Sequence, residues 1–387
     1  MPWKECKPMD ERLKFIARLL EGEKMAPVCR EFGISRVTGY KIFNRYKDCG
    51  LDGLNDRARR PYRQANKLPF QVERTLLGIK RKNTSWGAPK IRDKLIREYP
   101  MIKPPAISTI HAVLDRNGLV KRRKRRRHKA QGTVLVAAHS PNGLWCADYK
   151  GEFKLGNKQY CYPLTITDYR SRYLLACEGL ACTRSEFAFS VFERAFKDFG
   201  LPNAIRTDNG VPFATTTLAR LSKLSAWWVR LGVLPELIEP GKPQQNGRHE
   251  RMHRTLKAEA IRPPAGSLPA QQRKFNHFRE EYNEERPHEA LDQETPASVY
   301  EPSPREMSAK VPPLEYPDRF EVRYVSANGG IRWNSSWVNV STVCSGDYIG
   351  LEELDDGVWT VYYGPLKIGR FHERHMRIED EYGRLKR

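Results

Sequence analysis

Apolar positions recur at helical spacing through the first 120 residues. The pattern predicts a helix capped by Asp10 and running through Leu20, and a second started by Pro27 and stopped at Gly33. A third, capped by Ser35, runs through Tyr46. The sharp turn before Ser35 makes this a helix-turn-helix pattern. Its last helix would present Arg36, Thr38, Tyr40 and Lys41 near its start, where recognition helices reach base edges and phosphates. A plain helical bundle would have the same composition. A second helical group follows, over Phe70 to Lys80, Lys90 to Arg97 and Ser108 to Arg116, with Ser108 as N-cap.

From about residue 142 the period changes. Trp145 to Lys150, Gln159 to Asp168 and Arg172 to Cys177 read as three successive strands, the last two joined by a Tyr-Arg-Ser turn. Thr183-Arg-Ser-Glu186 has capping-box spacing, and the helix after it buries Ala188, Phe192, Ala195 and Phe199 before Gly200 ends it. A strand to Thr207, a helix through Trp227 and Trp228, and a strand from Val233 to Glu239 continue an α/β alternation. Asn246 or Gly247 then caps a helix reaching Ile261. Its first turns carry Glu250, with His253, Arg254 and Lys257 on the same face at helical spacing.

Beyond Tyr300 a Pro-rich connector leads to β-rich runs at Phe320 to Val325, Ile331 to Val340, Asp347 to Leu351 and Val358 to Tyr363. Asn328-Gly329 and Asp356-Gly357 serve as hairpin turns, and a small β-barrel follows. Arg323, Arg332, Lys367 and Arg370 are its candidate phosphate contacts, with plain packing of an accessory domain as the rival reading.

Charge narrows the class of partner. The chain has 387 residues, enough for three or four domains, and a formal charge of +22. Such a field repels itself unless a polyanion neutralises it. No long apolar span or amphipathic anchor favours a membrane surface, so the expectation is a soluble, cytoplasmic protein on nucleic acid. Two basic stretches fit that partner. Asp56-Arg-Ala-Arg-Arg-Pro-Tyr-Arg63 reads as an extended arm that sets Arg57, Arg59 and Arg60 over phosphates or in a minor groove. Lys121 to Lys129 holds Lys or Arg at eight of nine positions, Arg122, Arg123 and Arg125 among them, and reads as a DNA-contacting linker. The eight cysteines form no Cys-x-x-Cys pair and read as reduced and mostly structural.

Three carboxylates stand out. Asp148 interrupts the apolar run Leu144-Trp-Cys-Ala-Asp-Tyr149, and Asp208 ends the strand Ala204-Ile-Arg-Thr-Asp208 at an Asn-Gly turn. An acid in an apolar strand is costly unless a cation or a metal compensates it. With Glu250 as a third, the set points to hard divalent ions, magnesium with manganese as a substitute, two per site.

The chain resembles the bacterial insertion-sequence transposases that carry a retroviral-integrase-type core. The motifs are Trp145-Cys-Ala-Asp-Tyr-Lys150, Thr207-Asp-Asn-Gly210, Gln244-Gln-Asn-Gly-Arg-His-Glu-Arg251, Tyr282-Asn-Glu-Glu-Arg-Pro-His-Glu-Ala-Leu291 and Thr295-Pro-Ala-Ser-Val-Tyr300. The resemblance implies that Asp148, Asp208 and Glu250 are the catalytic, metal-holding triad. Arg254 and Lys257 would hold the DNA backbone beside it. The 42 positions from Asp208 to Glu250 exceed the family's interval by several residues, an excess assigned to Leu218 to Gly232. Glu236 or Glu239 is the substitute third ligand, and Asp168 is read as structural.

The implied organisation is a helix-turn-helix unit with a basic arm over 1–66, a second helix-turn-helix unit over 67–120 and a basic linker over 121–141. An α/β ribonuclease-H-like catalytic core over 142–300 and a small all-β barrel over 317–373 complete it. The implied function is binding of the inverted-repeat ends of a mobile element, metal-dependent 3′-end cleavage, and strand transfer into target DNA by a homodimer or higher assembly. A sequence-specific DNA-binding regulator with an inactive core is the alternative.

Overall fold

A computed structural model describes residues 8–56, 68–120, 135 and 138–380 of the chain. It divides into two units, residues 1–69 and 70–387.

In the first unit, α1 (Pro8–Leu20), α2 (Met25–Glu31) and α3 (Arg36–Cys49) enclose Phe15, Ile16, Val28, Cys29 and Leu54. Ser35 caps α3 as expected, its hydroxyl accepting the Thr38 N–H at 3.1 Å. Asp10 does not cap α1, because the helix starts two residues earlier and takes the acid into its first turn. Pro27 likewise lies within α2 rather than starting it. Gly39 is buried in α3, and a Cβ there would lie 2.9 Å from Met25 Sδ and 3.1 Å from the Phe15 ring, and closer still to Cys29 Sγ. Its missing side chain is what lets α3 settle on α1 and α2. Gly39→Val is therefore expected to destabilise this unit by about 2 kcal/mol or more, read as an earlier loss of helix in urea denaturation.

The second unit opens with α4 (Phe70–Lys82), α5 (Ala88–Glu98) and α6 (Ile107–Arg116), packed through Leu76, Ile79, Trp86, Ile91, Leu95, Ile110 and Leu114. Ala106, not Ser108, is the N-cap of α6. Ser108 falls inside the first turn, and no side chain caps this helix.

A mixed sheet follows. Its strands are β1 (Trp145–Tyr149), the two-residue β2 (Phe153–Lys154), β3 (Tyr160–Asp168), β4 (Leu174–Leu180), β5 (Ala204–Thr207) and β6 (Leu234–Leu237). The order is β4-β3-β1-β5-β6, antiparallel among the first three and parallel from β1 to β6, with β2 against the start of β3. Helices α7 (Ser185–Phe199) and α8 (Lys223–Arg230) cover one face. Ala188, Phe192, Phe196 and Trp228 meet Trp145, Ala147, Leu164, Ile166 and Ile205 there. On the other face, α9 (Gly247–Leu256) and α10 (Leu268–Glu280) bring Met252, Leu256, Phe275 and Phe278 onto Cys161, Leu174 and Cys177. The two-residue strand period thus turns Cys146 and Asp148 toward α9, since Trp145 and Ala147 face α7. The expected Thr183 capping box is not formed, for α7 begins at Ser185 with Arg184 as its uncapped N-cap. Ser222 and Ser225 form one at α8 instead.

After α11 (Pro296–Val299), an all-β unit contains β7 (Glu321–Tyr324), β8 (Gly330–Trp333), β9 (Ser336–Asn339), β10 (Tyr348–Asp355), β11 (Val358–Tyr363), β12 (Leu366–His372) and β13 (Arg377–Glu379). Five strands pair antiparallel in the order β13-β12-β11-β10-β7. The β8-β9 hairpin lies against both edges, β8 by β7 and β9 by β13, around Val325, Ile331, Val338, Leu351, Val361 and Phe371. The run Ile331 to Val340, expected as one strand, is broken by Asn334 and Ser335, whose φ of 43° and 66° reverse the chain. Leu218, Leu221, Ala226 and Val229 from the long interval between Asp208 and Glu250 join this same core. The extra residues therefore serve as a seat for the β unit. No helix among the described residues is long and apolar enough to cross a membrane.

Candidate active site on the central strands

Parallel pairing sets Trp145 beside Ile205 and Cys146 beside Arg206, and the same offset brings Asp148 level with Asp208. Asp208 sits just past β5, and its carboxylate accepts the Gly210 N–H at 3.1 Å in a tight Asx turn. Glu250 is exposed in the first turn of α9. The Asp148 carboxyl is pushed up to about 7, chiefly by burial, then by the charges of Asp208 and, more weakly, Glu250. The Tyr149 N–H and Lys150 oppose the rise. Asp208 and Glu250 thus both bear electrostatically on Asp148.

That surplus of negative charge and the all-carboxylate donor set fit a hard divalent cation. The acids are not drawn into a ready-made cage. Among the described residues, no group of three His, Cys, Asp or Glu side chains is gathered closely enough to hold a metal.

The helix bearing Glu250 is anchored by two histidines. Thr165, paired across the sheet with Asp148, lies 2.8 Å from His249 Nε2 and 2.7 Å from His253 Nε2, and donates its hydroxyl proton to the Asp148 carbonyl at 3.1 Å. One hydroxyl has one proton, so the arrangement that satisfies every contact has both Nε2–H groups donating to Thr165. His249 Nδ1 then accepts from Thr167 at 2.8 Å. Both rings are neutral, since burial pulls His249 down to about 3, and burial with the neighbouring His249 pulls His253 to about 2. His253 Nδ1 comes within 3.7 Å of Asp148 Oδ2. The sequence pattern sets His253 on the charged face with Arg254 and Lys257. The structure instead buries it, because this stripe of α9 lies on the sheet. The signal that could have shown this is the four-residue spacing of His249 and His253, matched by the polar alternation of Thr165 and Thr167.

Arg206 ties the strand of Asp208 to the approach of α9. Fully buried, it reaches Glu236 on β6 at 3.0 Å through both Nε and Nη2, and the Gln245 carbonyl at 3.4 Å. Breaking a buried pair leaves its partner charge stranded. Arg206→Leu is expected to cost about 3 kcal/mol in denaturant unfolding, with Arg206→Lys recovering only part, because an ammonium lacks the fork.

The substitute acids have other partners. Glu236 holds Arg206, and Glu239 accepts from Gln245 Nε2 at 2.8 Å and from Lys242. Asp168 is buried, accepting the Asn142 N–H at 2.8 Å and the Ser171 N–H and hydroxyl at 2.7 Å each, which suits the structural role expected of it.

On the first unit, Arg36, Thr38, Tyr40 and Lys41 are all exposed along the start of α3, with Thr38 Oγ1 2.9 Å from Ser35 Oγ. Arg254 and Lys257 are exposed on and just beyond α9. Arg57, Arg59, Arg60, Arg122, Arg123 and Arg125 lie outside the described residues. In the β unit, Arg332, Lys367 and Arg370 are exposed, whereas Arg323 pairs with Glu321 and lies 5.3 Å from the Trp333 ring centre.

The fold agrees with the family models that the sequence matches. Integrase core domain models match residues 138–243 and 231–296, a helix-turn-helix domain matches 11–62, and a homeodomain-like domain matches 38–114. The chain thus carries an integrase core domain and helix-turn-helix domains, and it resembles proteins of bacterial insertion elements.

Among its relatives is the insertion element IS476 uncharacterized 39.2 kDa protein of Xanthomonas euvesicatoria, 25% identical over 279 residues, covering 72% of this chain and 78% of that one. Another is the insertion element IS407 uncharacterized 31.7 kDa protein of Burkholderia multivorans, 28% identical over 213 residues, covering 49% and 72%. Among solved structures, the HTLV-2 integrase catalytic core domain in complex with magnesium aligns with 43% of this chain and 100% of its own, at 18% identity and a TM-score of 0.35. The insertion-element and integrase homologies support a transposase or integrase role, and the integrase core implies polynucleotidyl transferase activity in general.

Proposed function

We propose that the protein binds the inverted-repeat ends of its mobile element, cleaves there to free a 3′-hydroxyl, and joins that end to target DNA. The observation that carries this reading is the placement of Asp148 level with Asp208 on the paired strands β1 and β5, with Glu250 in the first turn of α9, the helix that packs on β1. These three would hold two magnesium ions, with manganese as a substitute. When bound, the ions would supply activation of the attacking oxygen and neutralisation of charge on the leaving one.

The chain's own residues do the rest. Thr165, His249 and His253 fix α9 against β3 and hold the Asp148 backbone in register. Arg206 keeps β5 and β6 together behind Asp208. Arg254 and Lys257, exposed four and seven residues beyond Glu250, hold the DNA backbone, and α3 reads the end sequence. In the first step a water oxygen attacks the phosphorus and the 3′-oxygen leaves with a proton. In the second, that 3′-hydroxyl attacks a target phosphodiester and a target 3′-oxygen leaves. No covalent protein intermediate is needed, since positioning and charge neutralisation suffice. Transfer of two ends implies a dimer or larger assembly.

The test is incubation of the purified protein and magnesium with duplexes carrying the inverted repeats that flank its gene, with the 3′ termini mapped. New 3′-hydroxyls at the repeat boundary support the proposal. Intact duplex, or cuts scattered without regard to the boundary, would overturn it.

A further inference from the structure

On the flank of α9 away from Glu250 lies a cavity of about 420 Å³, walled by α5, the turn after β3, α9 and the loop after α10. Five cationic side chains line it, Lys90, Arg172, Arg248, Arg251 and Arg286, against one lining carboxylate, Glu289. Arg286 is already paired with Glu259 at 2.9 Å. Arg248 lies 3.9 Å over the Tyr169 ring, which holds its guanidinium in place.

Among the described residues, two buried nitrogens of the lining, Arg172 Nε and His288 Nε2, have no hydrogen-bond partner. Buried polar groups left unmatched are rare and costly in folded proteins. The first turn of α9, Gly247 and Arg248, also enters the wall, adding the positive end of a helix dipole.

We propose that this cavity is a phosphate site that seats a backbone phosphate of the bound DNA. Guanidinium forks converging from several elements suit a tetrahedral oxyanion better than a point charge does. The space exceeds what a lone oxyanion requires, and Arg248 and Arg251, both exposed, stand at its rim, so a continuous strand can enter. Crowding of like charge points the same way. Burial and then Arg286 lower Lys90 to about 7, and burial and then Lys90 lower His288 to about 3. An anion in the cavity would relieve both. This site deepens the DNA reading above and rests on it.

The test uses the full chain and two probes. Inorganic phosphate, balanced with chloride at fixed ionic strength, is expected to raise the melting temperature of the wild type. Lys90→Gln/Arg251→Gln should abolish that rise and weaken binding of an end duplex about tenfold. The same change should make the salt slope shallower by about 0.9, the value for one neutralised phosphate. Arg251→Glu, altering a single exposed residue, should do the same should the double variant misfold. Arg194→Gln/Lys197→Gln replaces one arginine and one lysine on α7, across the sheet, and should change neither readout.

Loss of the phosphate response with duplex affinity intact would show a site for free phosphate only and overturn the assignment. So would unchanged behaviour in both readouts. Failure of the wild type to bind any duplex would instead bring down the DNA reading on which the site rests.

Discussion

Asp148→Asn, Asp208→Asn and Glu250→Gln are each expected to cut end cleavage and strand transfer by about a thousandfold or more. The magnitude follows from the several kcal/mol of transition-state stabilisation that a bound metal supplies, since about 4 kcal/mol corresponds to three powers of ten. Every replacement keeps the shape of the side chain and removes one anionic oxygen. Glu250 is exposed in the first turn of α9 and Asp148 is only partly buried, so these isosteric changes open no cavity. End-duplex affinity should be retained or rise slightly in the absence of metal, because fewer carboxylates then repel phosphates. Losses within one cooperating site do not add, so a triple variant should be no worse than the singles. Time courses on labelled end duplexes, alongside gel-shift affinities, give both readouts.

Sequence reading and backbone grip should separate by region. Arg36→Ala/Tyr40→Ala, on the exposed start of α3, is expected to lower the preference for end over random duplex by about 10- to 100-fold, as for the removal of one or two base-reading side chains. Neutralising Arg122, Arg123 and Arg125 should instead weaken both duplexes alike and reduce the salt slope by about 0.9 for each phosphate that is no longer neutralised. Binding isotherms at several salt concentrations decide between them. The same profile for both variants would mean that the two regions do not divide the work.

Much of the core is legible in the chain because its signals are local. Asp148 declares itself as one acid in the strand Trp145–Tyr149, Asp208 as the acid at an Asn-Gly turn, and Glu250 as an early helical acid after a Pro/Gly stretch. Ser35 is legible as a cap for the same reason.

What the sequence conceals depends on partners distant along the chain. His249 and His253 sit in an Arg-rich helix, and only the sheet beneath reveals that they face Thr165 and Thr167 rather than water. The reversal at Asn334-Ser335 carries no glycine, so the flanking apolar residues read as one strand. β12 and β13 are not foreseen, although Leu366, Ile368 and Phe371 point into a core that residues as remote as Leu218 and Val229 complete. The cationic cavity beside α9 is equally hidden, since its five positive residues come from segments between positions 90 and 286.

Strand transfer from a duplex with an exposed 3′-hydroxyl, measured in magnesium for Glu250→Gln and Glu239→Gln side by side, tests the third acid most directly. Glu239 is bound to Lys242 and Gln245 on the approach to α9, whereas Glu250 acts on the Asp148 carboxyl. Transfer is expected to persist near the wild-type level in Glu239→Gln and to vanish in Glu250→Gln. Robust joining by Glu250→Gln, with none by Glu239→Gln, would contradict the assignment of Glu250.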